Sequence, residues 1–194
     1  MTIYNILGVY SLATQGDIEA GKRWYQEAQK SAEGIALKYD VPARVVVGVI
    51  AALSPNNRWE RNVADAEALV AAYVNGEGVE SVAVATYSKM REKAWAILQD
   101  GPETDDDVKV ILNGRKIVSF YGCIRGLDDV CIDGHAKNVA EGERVPLSSN
   151  ATGMTKRQYE ALQDEYREAA SLIGLPPYVL QAVTWTVWRR IHNI

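Results

Sequence analysis

Leu112-Asn113-Gly114-Arg115-Lys116, followed after a short interval by Val130-Cys131-Ile132-Asp133-Gly134-His135, is the stretch on which the reading of this chain turns. It offers an amine and a carboxylate separated by a short helix and a turn. Asn-Gly breaks the chain just before Arg115, and Asp-Gly, with aspartate a preferred N-cap, marks the start of a further helix at Gly134. A lysine opening one helix and an aspartate opening the next can point into a common cleft. That pairing suits attack on a sugar carbon and stabilisation of the positive charge developing on it.

Outward from this stretch the pattern is helical. Asp17 to Tyr39 places Ile18, Trp24, Ala28, Ile35 and Leu37 near helical spacing, with Asp17 as the expected N-cap and Val41-Pro42 as the break. Val45 to Leu53 is apolar without strict alternation and reads as a buried helix ending at Ser54-Pro55. Its β-branched residues are also compatible with a strand. Asn62 to Tyr73 is alanine-rich and ends at Asn75-Gly76-Glu77-Gly78. Ser88 to Leu98 and Lys116 to Ile124 give two more helices, the second with Phe120 and Ile124 on one face. Asp105-Asp106-Asp107 falls in the loop after Gly101-Pro102 or caps the helix beyond it.

Residues 143–153 are polar and turn-rich and read as a linker. Beyond them, 154–194 reads as a C-terminal helical pair. Thr155 to Leu172 opens with a T-x-x-Q capping box at Thr155 and Gln158, and Tyr178 to His192 follows Gly174-Leu175-Pro176-Pro177. Trp185 and Trp188 in the last helix read as core anchors. The expectation is an all-α fold, with residues 1–194 forming a single mainly helical domain.

The composition bounds the function. Hydrophobic residues make up 47% and charged residues 24%, an ordinary globular balance. Cys123 and Cys131 are too few for a disulfide framework or a four-cysteine metal site. The start Met1-Thr2-Ile3-Tyr4-Asn5 does not read as a secretory signal, and Val45 to Leu53 is too short to span a bilayer. A cytoplasmic protein away from membranes is expected. A net charge of −4 argues against strong non-specific binding to nucleic acid but leaves a local basic face open. Nothing in the pattern fixes an oligomeric state.

Individual residues carry the candidate chemistry. Lys116 is ordinarily a solvated lysine. In the first turn of a helix, however, its charge opposes the macrodipole, and the N–H groups after Gly114 suit a phosphate. Arg115 beside it is a further candidate contact. Asp133 caps a helix, and a capping carboxylate held by backbone donors also suits an oxocarbenium-like transition state. Cys131, Asp133 and His135 alternate, but with two histidines in the chain no metal site is expected. His135 reads as a phosphate or base contact or a satisfied surface histidine, and Lys137 as a further contact. Ala52-Leu53-Ser54-Pro55-Asn56-Asn57-Arg58-Trp59 leads from the buried helix to Asn62. Ser54, Asn56, Asn57 and Asn62 can read base edges and Trp59 can stack on an unpaired base, the plainer reading being an N-capping loop at Ser54 or Asn57.

These elements, in this order, resemble the helix-hairpin-helix DNA glycosylase superfamily, whose best-known members resemble endonuclease III. Ala52-Leu53-Ser54-Pro55-Asn56 is similar to that family's L-L-S-x-Q loop, and Tyr87 to Ala94 to its segment of tyrosine, lysine and alanine. Leu112 to Lys116 is similar to its L-P-G-x-G-x-K hairpin, and Val130 to His135 to V-D-T-H. The resemblance covers about residues 45–140. It implies a glycosylase-like core there with extra helices at both ends, Lys116 at the Schiff-base position and Asp133 at the essential aspartate. The hairpin is two residues shorter than the family's and lacks its proline and one glycine. The iron–sulfur cysteines of some members are absent, so no cofactor is expected. Enzymes that modify bases in bacteriophage DNA also resemble this fold, which would place a phage-encoded chain in the host cytoplasm.

The resemblance therefore implies an enzyme that flips a natural or modified base from DNA, or takes a modified nucleotide, and cleaves the N-glycosidic bond or modifies the base. The alternative is a non-catalytic helical module that binds DNA or a protein, which the net acidity and the shortened hairpin favour.

Overall fold

The computed structural model describes residues 1–147 and 153–194. Among the described residues there are ten α-helices, one short 3-10 turn and no strand. The chain is all-α, as its periodicity predicts. Of the stretch expected as a linker, residues 148–152 lie outside the described residues. Contacts divide the chain into two compact units, one of Met1–Gln26 with Gly126–Ile194 and one of Glu27–Arg125.

The second unit is built around α3 (Ala43–Leu53), in which every residue from Val45 to Leu53 is buried. A helix apolar on all sides is stable only when other helices surround it. Here α4 (Trp59–Val74), α5 (Ser88–Asp100), α6 (Asp105–Leu112) and α7 (Arg115–Ile124) do so. Length and this surround decide against the strand alternative. Gly48 lets α3 come close to its neighbours, since a Cβ there would lie 2.8 Å from Val108 Cγ1 and 3.2 Å from Ile97 Cγ2.

Two boundaries in this unit differ from expectation. α4 starts at Trp59, not Asn62, so Trp59 and Asn62 are helical and only residues 54–58 form the loop. Arg58 is the N-cap without a side-chain cap bond, and neither Ser54 nor Asn57 caps α4. The acidic run Asp105-Asp106-Asp107 is the first turn of α6, where negative charge complements the helix dipole. Thr104 accepts from the Asp107 N–H, and Asp107 reaches back to the Thr104 N–H, so the run is a capping box that the T-x-x-D spacing encodes.

The first unit packs α1 (Thr2–Ser11), α8 (Gly134–Glu141), α9 (Lys156–Ile173) and α10 (Pro177–His192) on one another, together with the first half of α2 (Gln15–Tyr39). Its core includes Ile6, Val139, Tyr166, Leu180, Val183 and Trp188. The Thr155–Gln158 box opens α9 as predicted. Asp17 is not the N-cap of α2. The helix begins two residues earlier, and Thr14 and Asp17 form a reciprocal box, with Asp17 N–H donating to Thr14 Oγ1 at 3.2 Å and Thr14 N–H donating to Asp17 Oδ2 at 2.8 Å. Asp17 also accepts from Arg190 Nε at 3.0 Å. Burial pushes its carboxyl up, but the bonds from Arg190 and Thr14 outweigh this and hold it below the ordinary aspartate range. Tyr25 donates its hydroxyl to Gln181 Oε1 at 2.8 Å, a second polar tie between α2 and α10.

The closest approach in this unit is at Gly21. A Cβ there would lie 2.6 Å from Val183 Cα and 2.7 Å from its nitrogen, so the obstruction is backbone and cannot rotate away. Gly21→Ala gains about 1 kcal/mol of helix propensity but forces α2 and α10 apart, an overpacking cost of about 1–3 kcal/mol. It is expected to lower the urea midpoint. Gly34→Ala, on the same helix with nothing near its missing Cβ, is expected to raise it by the equivalent of about 0.5–1 kcal/mol. Equal responses at the two positions would contradict the packing described for Gly21.

Candidate functional site

Asp133 lies at the end of the extended segment that enters α8, and α9 holds that segment in place. Tyr159, Gln163 and Tyr166 recur at helical spacing on α9. The Tyr159 hydroxyl oxygen accepts from the Ile132 N–H at 3.1 Å. Gln163 Nε2 donates to the Val130 carbonyl at 2.8 Å and to Asp129 Oδ1 at 2.9 Å. Tyr166 donates to the Ala136 carbonyl at 3.1 Å. Complete burial pushes the Tyr166 hydroxyl well above its ordinary value; a hydrogen bond with Thr184 lowers it and the Asp133 charge raises it further. It therefore remains a donor throughout the physiological range.

Held in this way, Asp133 is the N-cap of α8, with Oδ1 accepting from the Ala136 N–H at 2.8 Å. The cap expected from sequence is present. The other oxygen, Oδ2, accepts from Trp185 Nε1 on α10 at 3.2 Å. Asp133, Gly134, His135 and Lys137 are all half-buried on the opening turn of α8. The His135 ring meets Trp185 edge-on, centroids 6.2 Å apart at 79°. Trp24 of α2 lies 6.3 Å from Trp185 at 60°, and the Arg189 guanidinium sits 4.6 Å above the Trp185 ring. Lys137 pairs with Glu141 at 3.7 Å along α8.

Trp188 is a core anchor, as read from the sequence, but Trp185 is not. Trp188 is 4% exposed, whereas Trp185 is half-buried and turned to the carboxylate. The two are three residues apart and so lie on neighbouring parts of one helix face, with Trp188 on its buried side and Trp185 at its margin. The i,i+4 spacing of Trp185 and Arg189 was the available sequence signal that Trp185 lies at the edge of the core, since arginine is seldom fully buried.

The other candidate residues lie in the second unit. α6 and α7 are joined by Asn113 and Gly114 alone. Asn113 caps α6 in the left-handed conformation (φ 41°) and Gly114 is the N-cap of α7 without a side-chain cap bond. Arg115 and Lys116 occupy the first two positions of α7 and are exposed. Lys93 of α5 donates its ammonium to the Leu112 carbonyl, where α6 ends and leaves carbonyls without helical partners. Burial, and secondarily the Lys89 charge, hold the Lys93 ammonium below its ordinary value.

In the 54–62 stretch Ser54, Asn57 and Asn62 turn inward, whereas Asn56, Arg58, Glu60 and Arg61 are exposed. Ser54 donates its hydroxyl to the Ala51 carbonyl at 2.9 Å, at the C-terminus of α3. Asn57 Nδ2 reaches the Leu53 carbonyl and Asp65 Oδ2, each at 3.3 Å. Asn62, 2% exposed, donates to the Ile50 carbonyl at 3.0 Å. Asp65 accepts in addition from Arg61 Nε at 2.6 Å and from the Ala85 N–H at 2.8 Å. The amide oxygens of Asn57 and Asn62 are buried and accept no hydrogen bond among the described residues. Asn56 is exposed in the left-handed conformation at φ 52°, and Trp59 is half-buried. Among the described residues no group of three His, Cys, Asp or Glu side chains is placed to hold a metal ion.

The structure is thus an all-α protein carrying a half-buried, doubly hydrogen-bonded aspartate. A family of unknown function, DUF7178, matches residues 1–192, and the chain belongs to it. No curated protein and no solved structure matches the chain. No helix among the described residues is long and apolar enough to cross a membrane.

The two bonds to Asp133 separate its structural role from its charge. Asp133→Ala removes the cap and leaves the Trp185 N–H without its acceptor, an expected loss of about 1–2 kcal/mol in urea unfolding. Asparagine is as good a cap, so Asp133→Asn is expected to stay within about 1 kcal/mol of the parent protein. Equal losses in the two variants would show that the cap is not what Asp133 supplies to stability.

Proposed function

We propose that this protein acts on a base, natural or modified, presented from DNA or as a nucleotide, and that Asp133 carries the chemistry. The observation that carries the proposal is the Asp133 carboxylate, both oxygens held by N–H donors and yet half-exposed on the opening turn of α8. A cap requires only one oxygen. A carboxylate fixed in this way needs little reorganisation when positive charge develops beside it. The short helix–Asn113-Gly114–helix connection is further support, since the resemblance to helix-hairpin-helix glycosylases calls for such a pair before the aspartate.

In base release, the bond between the sugar carbon and the base nitrogen breaks and its electron pair leaves with the base. Asp133 stabilises the resulting oxocarbenium-like cation. Water then forms the new bond to the sugar carbon, with the carboxylate taking its proton. In base modification, the same carboxylate acts as general base: it removes the proton from a hydroxyl on the base as that oxygen bonds to a group carried by an activated phosphate-ester donor, and the bond between that group and the phosphate breaks with its electron pair leaving on the phosphate.

Mass spectrometry of nucleosides after incubation with natural DNA and with DNA containing 5-hydroxymethylpyrimidines tests the proposal. The expected result is loss of one nucleoside, or its conversion to a heavier one, which Asp133→Asn abolishes. A change undiminished in Asp133→Asn, or no change with any DNA, would remove the catalytic account. The helical binding module favoured by the net charge of −4 would then stand.

The role of Lys116 is tested separately. Its exposed position at the start of α7 supports attack by its amine on the sugar carbon: the base leaves with the electron pair of the glycosidic bond, and the bond from that carbon to the ring oxygen then breaks, leaving an imine to Lys116 and a hydroxyl retained on the opened sugar. Borohydride reduction is then expected to trap a protein–DNA adduct that is absent in Lys116→Ala. An adduct persisting in that variant rules out the nucleophile, and no adduct in the parent protein assigns attack to water.

A further inference from the structure

Asp133 is held by more than its own helix. An aspartate capping a helix ordinarily uses one oxygen, and its terminal torsion is broad, so the other oxygen sweeps an arc. Here Trp185, 52 residues further along the chain, closes that arc with a second N–H donor on Oδ2. The indole is itself restrained. Arg189, one turn further along α10, covers its face, and Trp24 and His135 approach it at steep angles. Trp188 gives the contrast on the same helix: its ring is packed in the core, and its Nε1 makes no hydrogen bond among the described residues. Packing alone therefore does not align an indole N–H on α10 with an acceptor.

We infer that Trp185 is a positioning residue for Asp133. Its indole N–H, with Arg189 stacked over the ring, fixes the plane of the carboxylate so that a defined Oδ2 lone pair is left facing the reacting base or sugar. The inference rests on the base-acting reading for its catalytic half, but the hydrogen bond itself is open to direct observation. Trp185 touches no reacting atom in this scheme. It acts through the orientation of Asp133, so it governs turnover more than binding.

Two measurements on the full-length protein test this. In the ¹H–¹⁵N spectrum, the Trp185 indole signal, assigned from its loss in Trp185→Phe, is expected to exchange slowly with solvent. It is expected to shift and exchange faster in Asp133→Asn, with the signal of Trp95, which lies in α5 edge-on to Tyr73, as reference. An indole signal indifferent to Asp133→Asn overturns the inference whatever the activity.

With the duplex that turns over in the nucleoside screen, Trp185→Phe is expected to lower kcat on the order of 10- to 100-fold and to change KM little. Benzothienylalanine at position 185 keeps the ring shape but lacks the N–H, and is expected to reproduce the loss in a protein that melts at the parent temperature. Trp95→Phe should leave turnover unchanged. If Asp133→Asn is inactive while both donor-free variants match the parent kcat, the base-acting reading stands and the positioning role fails. If Asp133→Asn is fully active, the base-acting reading fails and takes the positioning role with it.

Discussion

Asp133 accepts an N–H from its own helix with one oxygen and an N–H from a distant tryptophan with the other, and the organisation of the first unit follows from that pair of bonds. The first bond defines where α8 begins. The second fixes the facing turn of α10. Between them, Tyr159 and Gln163 on α9 take up backbone groups of the segment from Val130 to Ile132, which has no helix of its own to satisfy them, and Tyr166 bonds the Ala136 carbonyl in the opening turn of α8. A buried backbone polar group without a partner costs roughly as much as a lost hydrogen bond, so an extended segment can enter this core only where side chains replace the missing ladder. One face of α9 provides that replacement.

Local signals in the sequence carried much of the fold. Thr155 and Gln158 announce α9 because a capping box is encoded by two residues three apart and needs nothing from the rest of the chain. The same physics operates at Thr14–Asp17 and Thr104–Asp107, where aspartate takes the place of the usual glutamate or glutamine. At the first of these the cap reads three residues late, at Asp17, because aspartate is itself a common N-cap. Val45 to Leu53 was ambiguous for a different reason. A helix buried on all sides has no polar face, and without one the helical period cannot be seen.

The candidate site was legible only in its local half. Asp133 as a cap follows from Asp-Gly, but its bond with Trp185 joins positions 52 residues apart, and no pattern within either helix contains it. Trp185 and Trp188 look alike in the sequence. What separates them is their place across one face of α10: Trp188 packs in the core, while Trp185 lies at its margin with the exposed Arg189 stacked over its ring. The 54–62 stretch shows a different limit of local reading. Its amides looked like surplus hydrogen-bonding capacity, yet most of their donors brace α3 against α4 through Ile50, Leu53 and Asp65.

That bracing has a cost of its own. Asn57 and Asn62 spend amide N–H groups on Leu53, Asp65 and Ile50, and their amide oxygens are buried without a hydrogen bond among the described residues. A buried acceptor left without a donor is unfavourable, so the N–H bonds that lock α3 to α4 must outweigh it for the joint to hold. An amide placed in this way is committed to the interior on both its atoms. The hydrogen-bonding capacity that stands out in the sequence of this stretch is therefore spent on joining two helices, and only Asn56, Arg58, Glu60 and Arg61 keep exposed polar groups.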